Sequence, residues 1–300
     1  MRISYLTGAL MALALVSCGS INNIHDDFHL NSNTVKVTKP ENSSVFLNNA
    51  MEKAKELLSE NAYTPFEVLQ KQKENKTEVK FKVSMYKSGD SKIKTGNEIY
   101  NYLKERTLYI GDSFLCTRCP NMHLSNASGF VINEDGIIVT NYHVIDVKGN
   151  LKSSAIFAID DKGNVYSVAE VLSASKLNDI AVLQLDMQGK KLKPLELAEK
   201  ELIGEDVFMM GHPFEKTFFM SKGIVAREYL NGRTNMPKIS ITADFGTGAS
   251  GGPVVNSYGQ LIGVVSATSS HYTMGSKTNR DIQMVIKEVV PVSVLNNYIN

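Results

Sequence analysis

From about Thr107 to Ile286 the chain is a succession of short apolar runs punctuated by Gly, Asn, Asp and Lys, a texture that limits the folds open to it more than any single motif does. The runs are Leu108 to Leu115, Ser128 to Ile132, Ile137 to Thr140, Ala155 to Ile159, Val165 to Leu172, Ile180 to Leu185, Val207 to Met210, Gly223 to Tyr229, Ile239 to Thr242, Val254 to Val255, Leu261 to Ala267 and Ile282 to Ile286. Each is too short for a core helix and is bounded by turn formers such as Asn133-Glu134-Asp135-Gly136 or Asp161-Lys162-Gly163-Asn164, so each reads as a strand. A closing helix is expected from Val290 to Tyr298, where Val292, Leu295 and Ile299 follow Pro291 at helical spacing. Many short strands and one closing helix predict an all-β sandwich or a pair of barrels. A chain of 300 residues, 43% hydrophobic and 21% charged, has side chains enough for such cores.

Residues 43–106 read differently, as a small α/β extension. Phe46, Leu47, Ala50, Met51, Ala54, Leu57 and Leu58 recur at helical spacing, and Thr64-Pro65-Phe66-Glu67 combines an N-cap, a first-turn proline and a capping-box glutamate. Glu78 to Met85 alternates strictly and predicts a half-buried strand, while Thr95 to Glu98 is a second capping box opening a helix through about Arg106.

The first 17 residues read as a leader: Arg2, an apolar run from Leu6 to Val16 too short to span a bilayer comfortably, then Leu15-Val16-Ser17-Cys18. This end resembles a bacterial lipobox, which implies lipidation of Cys18 and a chain tethered outside the cytoplasm, on the periplasmic face or cell surface of a Gram-negative bacterium. An ordinary secretory signal is the other reading. Residues 18–42, rich in Asn, Ser, Asp and Thr, suit a flexible tether. Lysine and arginine number 32 against 31 acidic residues, and the leader removes one of the basic ones, so the mature chain is neutral. Such a chain gives no electrostatic case for nucleic acid or for an anionic membrane surface. Cys116 and Cys119 are expected to form a local disulfide in an oxidising compartment, with free thiols or a metal site as the other readings.

Three segments carry chemistry: Thr140-Asn141-Tyr142-His143-Val144, Asn178-Asp179-Ile180-Ala181-Val182-Leu183 and Gly246-Thr247-Gly248-Ala249-Ser250-Gly251-Gly252-Pro253. A serine hydroxyl is a poor nucleophile until a histidine takes its proton, and the histidine needs a carboxylate to fix its tautomer and stabilise the imidazolium. His143, Asp179 and Ser250 have that chemistry, in one of the known chain orders, and each falls at the end of a predicted strand. Glycines at 248 and 251 permit a tight turn in which the amides of Gly248 and Ser250 point at a developing oxyanion. Ser84-Met85-Tyr86-Lys87 and Lys94-Thr95-Gly96 match Ser-x-x-Lys and Lys-Thr-Gly motifs, but ten residues apart on a predicted strand and helix cap they read as chance.

Together the three segments resemble the signatures of chymotrypsin-fold serine proteases of the HtrA/Deg branch, and Val207 to Phe214 with Ser221-Lys222-Gly223-Ile224-Val225 is similar to two further stretches of that branch. The likeness runs from about residue 97 to 298. It implies two six-stranded antiparallel β-barrels over residues 107–300, the triad in the cleft between them, and a serine endopeptidase acting through an acyl-enzyme on unfolded or specific extracytoplasmic proteins. It requires no metal or organic cofactor. By the same likeness Gly263 to Ser266 pairs with substrate backbone, Ser266 supports the aspartate, and Thr247, Ala267 and Thr268 line the substrate groove. Thr268 narrows the primary pocket toward small or medium apolar residues, whereas Asp244 at the pocket base argues for basic ones. Relatives often form trimers through N-terminal segments, so 43–106 is a candidate assembly element. Two departures stand out: Ala249 replaces the aspartate that braces the oxyanion turn in digestive relatives, and the fifty residues after Ser250 are too few for an appended PDZ domain. The other reading of the chain is a catalytically inactive relative that holds peptides or unfolded chains.

Overall fold

The computed structural model describes residues 40–89, 92–115, 121–146, 153–273 and 281–299. Cys18, Cys116 and Cys119 lie outside them, as do the leader and nearly all of the tether. Every apolar run between Leu108 and Ile286 lies on a strand, to within a residue or two at its ends. The elements in chain order are helices α1 (Ser43–Ser59), α2 (Phe66–Asn75) and α3 (Gly96–Lys104), then β1 (Thr107–Leu115), β2 (Met122–Leu124), β3 (Ala127–Asn133), β4 (Ile137–Thr140), the single turn α4 (Tyr142–Ile145), β5 (Ser153–Ile159), β6 (Val165–Ser175) and β7 (Ile180–Leu185). After these come β8 (Asp206–Gly211), a 3₁₀ turn (Pro213–Glu215), β9 (Phe219–Leu230), β10 (Pro237–Ile241), β11 (Pro253–Asn256), β12 (Leu261–Tyr272), β13 (Ile282–Pro291) and α5 (Val292–Leu295).

The strands close into two antiparallel six-stranded barrels, as the likeness implied. The first runs β1-β3-β4-β7-β6-β5 and is closed by pairing of β1 with β5, with the short β2 hairpinned onto the outer end of β1. The second runs β10-β13-β12-β11-β8-β9. Strands β3 and β7 are buried on both faces, which is why they read as unbroken apolar runs. Val131, Ala181 and Leu183 point into the first barrel. Their alternates Phe130, Ile132, Ile180 and Val182 join a cluster with Val207, Met209, Val254 and Val264 of the second. Each such Val, Leu, Ile or Phe contributes about 1.5–3 kcal/mol relative to exposure. The barrels therefore meet along β3 and β7, and β7 starts directly after the predicted Asp179 position.

The N-terminal helices are built onto these barrels. The Asn42 side chain caps α1 by accepting from the amides of Ser44 and Val45 at 3.1 and 3.2 Å, and the buried Ala50 and Ala54 of α1 pack against Tyr109, Ile159, Ala155 and Phe157. Leu69 of α2 enters the first core, and Ile99 and Leu103 of α3, whose Thr95–Glu98 capping box is formed as predicted, enter the second. Three expectations fail here. Helix α2 starts after Pro65 without a side-chain cap, because the Thr64 hydroxyl donates instead to the carbonyl of Ala169 at 3.0 Å. Residues 78–85 keep their alternation of half-buried and exposed side chains but lie across the barrels, making only the isolated bridge Phe81↔Ile299 there, so the extension is helical with an extended strap rather than α/β. The closing helix shrinks to the single turn of α5, since β13 continues through Pro291. Among the described residues no helix is long and apolar enough to cross a membrane.

Candidate active site

Strand β4 ends at Thr140, and Asn141 turns the chain into α4, whose second residue is His143. The Asn141 side chain donates to the carbonyl of Asp179 at 2.9 Å, tying this turn to the start of β7. Asp179 holds φ 61, a left-handed conformation that aspartate tolerates better than most residues. Its carboxylate gathers three donors: His143 N at 3.1 Å, His143 Nδ1 at 2.9 Å to Oδ1, and the Ser266 hydroxyl at 2.7 Å to Oδ2. Donation from Nδ1 assigns the neutral imidazole the tautomer whose Nε2 lone pair faces outward. The His143 side chain is half exposed and that of Asp179 one-fifth exposed, so the histidine is open to a substrate while its partner is held behind it.

Ser250 reaches the same place from the second barrel. Its hydroxyl donates to the carbonyl of Ser266 at 3.5 Å, and its side chain lines a hollow of about 310 Å³ with His143, Thr247, Gly248, Asn126 and Phe114. Thus the structure brings together four residues predicted from separate segments: His143, Asp179, Ser250 and Ser266.

The turn around Ser250 can be built only with glycine at two positions, one on each side of it. Gly248 has φ +98, and a Cβ there would lie 2.3 Å from Asn126 Nδ2 and 2.6 Å from the carbonyl of His212. Gly251 has φ +83, and a Cβ there would lie 2.2 Å from the carbonyl of Ser128. The buried Ser128 hydroxyl donates to the carbonyl of Gly248 at 2.8 Å, and the amide of Phe214 donates to the carbonyl of Thr247 at the same distance. A trans peptide places its N–H opposite its C=O, so the second bond turns the Gly248 N–H away from Phe214. Among the hydrogen bonds of the described residues, the amides of Gly248 and Ser250 donate to no protein acceptor. Ala249 is fully buried at the centre of this turn.

Beside the turn lies a second hollow, of about 500 Å³, with Asp244, Phe245, Gly246 and Thr247 on one wall, Thr268 on another, and Phe214, Phe219, Val285 and Lys287 completing it. Lys287 pairs with Asp244 Oδ1 at 2.6 Å and also donates to the carbonyl of Phe245. The Asp244 carboxylate, predicted at the pocket base, is thus largely exposed and already engaged by a cation. Ala267 is exposed on β12, which beyond Val265 pairs with β13 along one edge and has no strand partner on the other among the described residues.

Several residues that position the site were not singled out from sequence. Ser128, Asn126 and the Phe214 amide shape the glycine turn, and nothing in their local pattern marks them. His212 is wholly buried: its Nδ1 accepts from Phe218 N at 3.1 Å and burial pulls its pKa down to about 3. Helix α2 grips the His143 segment. Gln70 Nε2 donates to the carbonyl of Ile145 at 2.8 Å, and the buried Lys73 donates to Asp146 and lies 5.1 Å from the ring centroid of Tyr142. On the other side Asn178, next to Asp179, donates to the hydroxyl of Tyr298 at 2.7 Å, which donates in turn to Glu78 of the strap.

Residues 127–264 match the family described as the trypsin-like peptidase domain. The chain is 34% identical over 176 residues to Protease Do-like 5, chloroplastic, of Arabidopsis thaliana, covering 54% of each chain. It is 32% identical over 148 residues to Serine protease HTRA1 of Xenopus laevis, covering 47% of this chain and 31% of that one. It is 28% identical over 176 residues to Serine endoprotease DegS of Haemophilus influenzae, covering 57% and 48%. The chain thus spans about half the length, or less, of these curated relatives. Over residues 127–264, which hold strands of both barrels, the chain matches the trypsin-like peptidase domain, and its sequence there is similar to that of the HtrA and Do-like serine proteases.

Proposed function

We propose that the protein is a serine endopeptidase in which Ser250 attacks the scissile carbonyl, His143 carries the proton, Asp179 orients His143, and the amides of Gly248 and Ser250 receive the oxyanion. The observation that carries this reading is the convergence of His143 Nδ1, the Asp179 carboxylate and the Ser266 hydroxyl beside Ser250, from both barrels. As His143 Nε2 takes the serine proton, the hydroxyl turns from the Ser266 carbonyl toward the imidazole. The imidazolium is stabilised by Asp179, and the proton then passes to the leaving amine while the acyl group rests on Ser250. Preorganised amides at the oxyanion are worth about 10² to 10³ in turnover each. Substrate backbone adds to the free edge of β12 at Ser266 to Thr268, as an extended peptide adds to any open strand. The P1 side chain enters the hollow beside Thr247 and Thr268. Its Phe214, Phe219 and Val285 walls favour a medium apolar residue, and with Asp244 already paired to Lys287 a basic one gains little.

The catalytic domain is residues 107–300, and 43–106 brace it through α2. Cys18 carries the lipid that tethers the chain outside the cytoplasm, residues 18–42 form the spacer, and Cys116 and Cys119 form a disulfide. Incubation with a reduced, alkylated protein substrate tests the activity: the wild-type chain should fragment it and Ser250→Ala should not. Equal fragmentation by both, or by neither, contradicts the proposal. Binding without cleavage by both chains points to the peptide-holding alternative, which needs the β12 edge alone.

A further inference from the structure

A buried lysine stands behind the His143–Asp179 pair. Lys238 lies on β10, 6% exposed, with Nζ 3.4 Å from the hydroxyl of Ser266. That hydroxyl donates to Asp179 Oδ2 at 2.7 Å, and Asp179 accepts from His143 Nδ1 at 2.9 Å. A continuous polar chain therefore runs from the second barrel to the cleft: Lys238, Ser266, Asp179, His143. An ammonium has donors only, so a hydroxyl that accepts from it is left to turn its own hydrogen elsewhere, and Asp179 is where it goes. A lysine so deeply buried is costly unless carboxylates compensate it. Burial lowers its pKa, and the charges of Asp179, ahead of β7, and Glu288, on β13, act against that lowering. The other ionisable groups packed around it belong to β9, namely Glu228, Tyr229 and Arg227 stacked on Tyr229, and to the segment before β8, namely Glu201. Tyr229 is itself engaged with Glu288, which leaves Asp179 as the carboxylate reached through Ser266.

On the reading that His143 is the general base, we propose that Lys238 is a positioning residue: its ammonium fixes the Ser266 hydroxyl toward Asp179, and so holds the carboxylate that orients His143.

The test uses the full chain with Ser250→Ala, in which the proton on His143 Nδ1 is observed by NMR at neutral pH. Lys238→Met should shift or broaden that resonance, because the Ser266 hydroxyl is no longer held toward Asp179, and Lys238→Arg should restore it. In chains that keep Ser250, labelling by a fluorophosphonate should slow severalfold in Lys238→Met and recover in Lys238→Arg. An unchanged resonance and labelling rate in folded Lys238→Met overturns the proposal. If Lys238→Met and Lys238→Gln both fail to fold while Lys238→Arg folds, the lysine is structural only and the proposal is again overturned. If the Ser250 chains never label, the protease reading fails, while the Nδ1 proton resonance still decides the role of Lys238.

Discussion

The amide of Phe214 donates to the carbonyl of Thr247 at 2.8 Å, and this bond, with that of Ser128 to Gly248, stands where digestive relatives are expected to use a carboxylate at position 249. Thr247 is thereby held with its oxygen outward and the following N–H inward. The brace comes from the 3₁₀ turn after β8, so Ala249 can be a small buried residue against Gly211.

Ala249→Asp should therefore damage the protein rather than improve it. The new carboxylate would be buried without a cation, which costs about 3–5 kcal/mol. Urea denaturation should show that loss together with loss of fluorophosphonate labelling; a variant as stable and as reactive as wild type would mean that an ammonium does reach this turn.

Asp179→Asn keeps the shape of the His143 contact but offers an amide that can hold the wrong imidazole tautomer. Labelling of Ser250 should slow by about 10³ to 10⁴ while the melting temperature changes little. A loss of less than tenfold would show that Asp179 does not orient the base.

Lys73 and Asp146 tie α2 to the His143 turn, and both side chains are largely buried. Lys73→Met leaves Asp146 without this cation and should destabilise the chain by about 3–5 kcal/mol. The double variant Lys73→Met with Asp146→Leu should recover much of that loss. Additive losses in urea unfolding would mean that the two do not act as a pair.

His212 is neutral in the folded chain because burial lowers its pKa to about 3, whereas in the unfolded chain it titrates near 6.5. The unfolded state therefore binds the extra proton between these values, and stability from this group is fully present above pH 6.5 and is lost as pH falls toward 3. The loss across that window is roughly 4 kcal/mol. His212→Asn, which keeps an acceptor for the Phe218 amide, should flatten this part of the pH dependence of the urea midpoint. An equally steep dependence in the variant would place the acid sensitivity elsewhere.

The strands and the cleft were legible in the sequence because periodicity and glycine spacing are local. Ile137 to Thr140 and Ile180 to Leu185 match β4 and β7 at both ends, and Gly248 and Gly251 sit where any side chain would collide with Asn126 or Ser128. What sequence could not reveal depends on partners far along the chain. Thr64 left its cap for Ala169, and the alternation of 78–85 met only one residue able to pair. Lys73, Lys238 and Lys287 look like ordinary surface charges on a helix and two strands. Only the topology sets them against Asp146, Ser266 and Asp244.

The central claim is that Ser250 is an activated nucleophile. Intact mass measurement after exposure to a fluorophosphonate at neutral pH tests it most directly. The account predicts a single adduct, mapped by peptide sequencing to Ser250, abolished in Ser250→Ala and strongly slowed in His143→Ala. No adduct on the folded wild-type chain, with or without added peptide, or an adduct that survives Ser250→Ala, contradicts it.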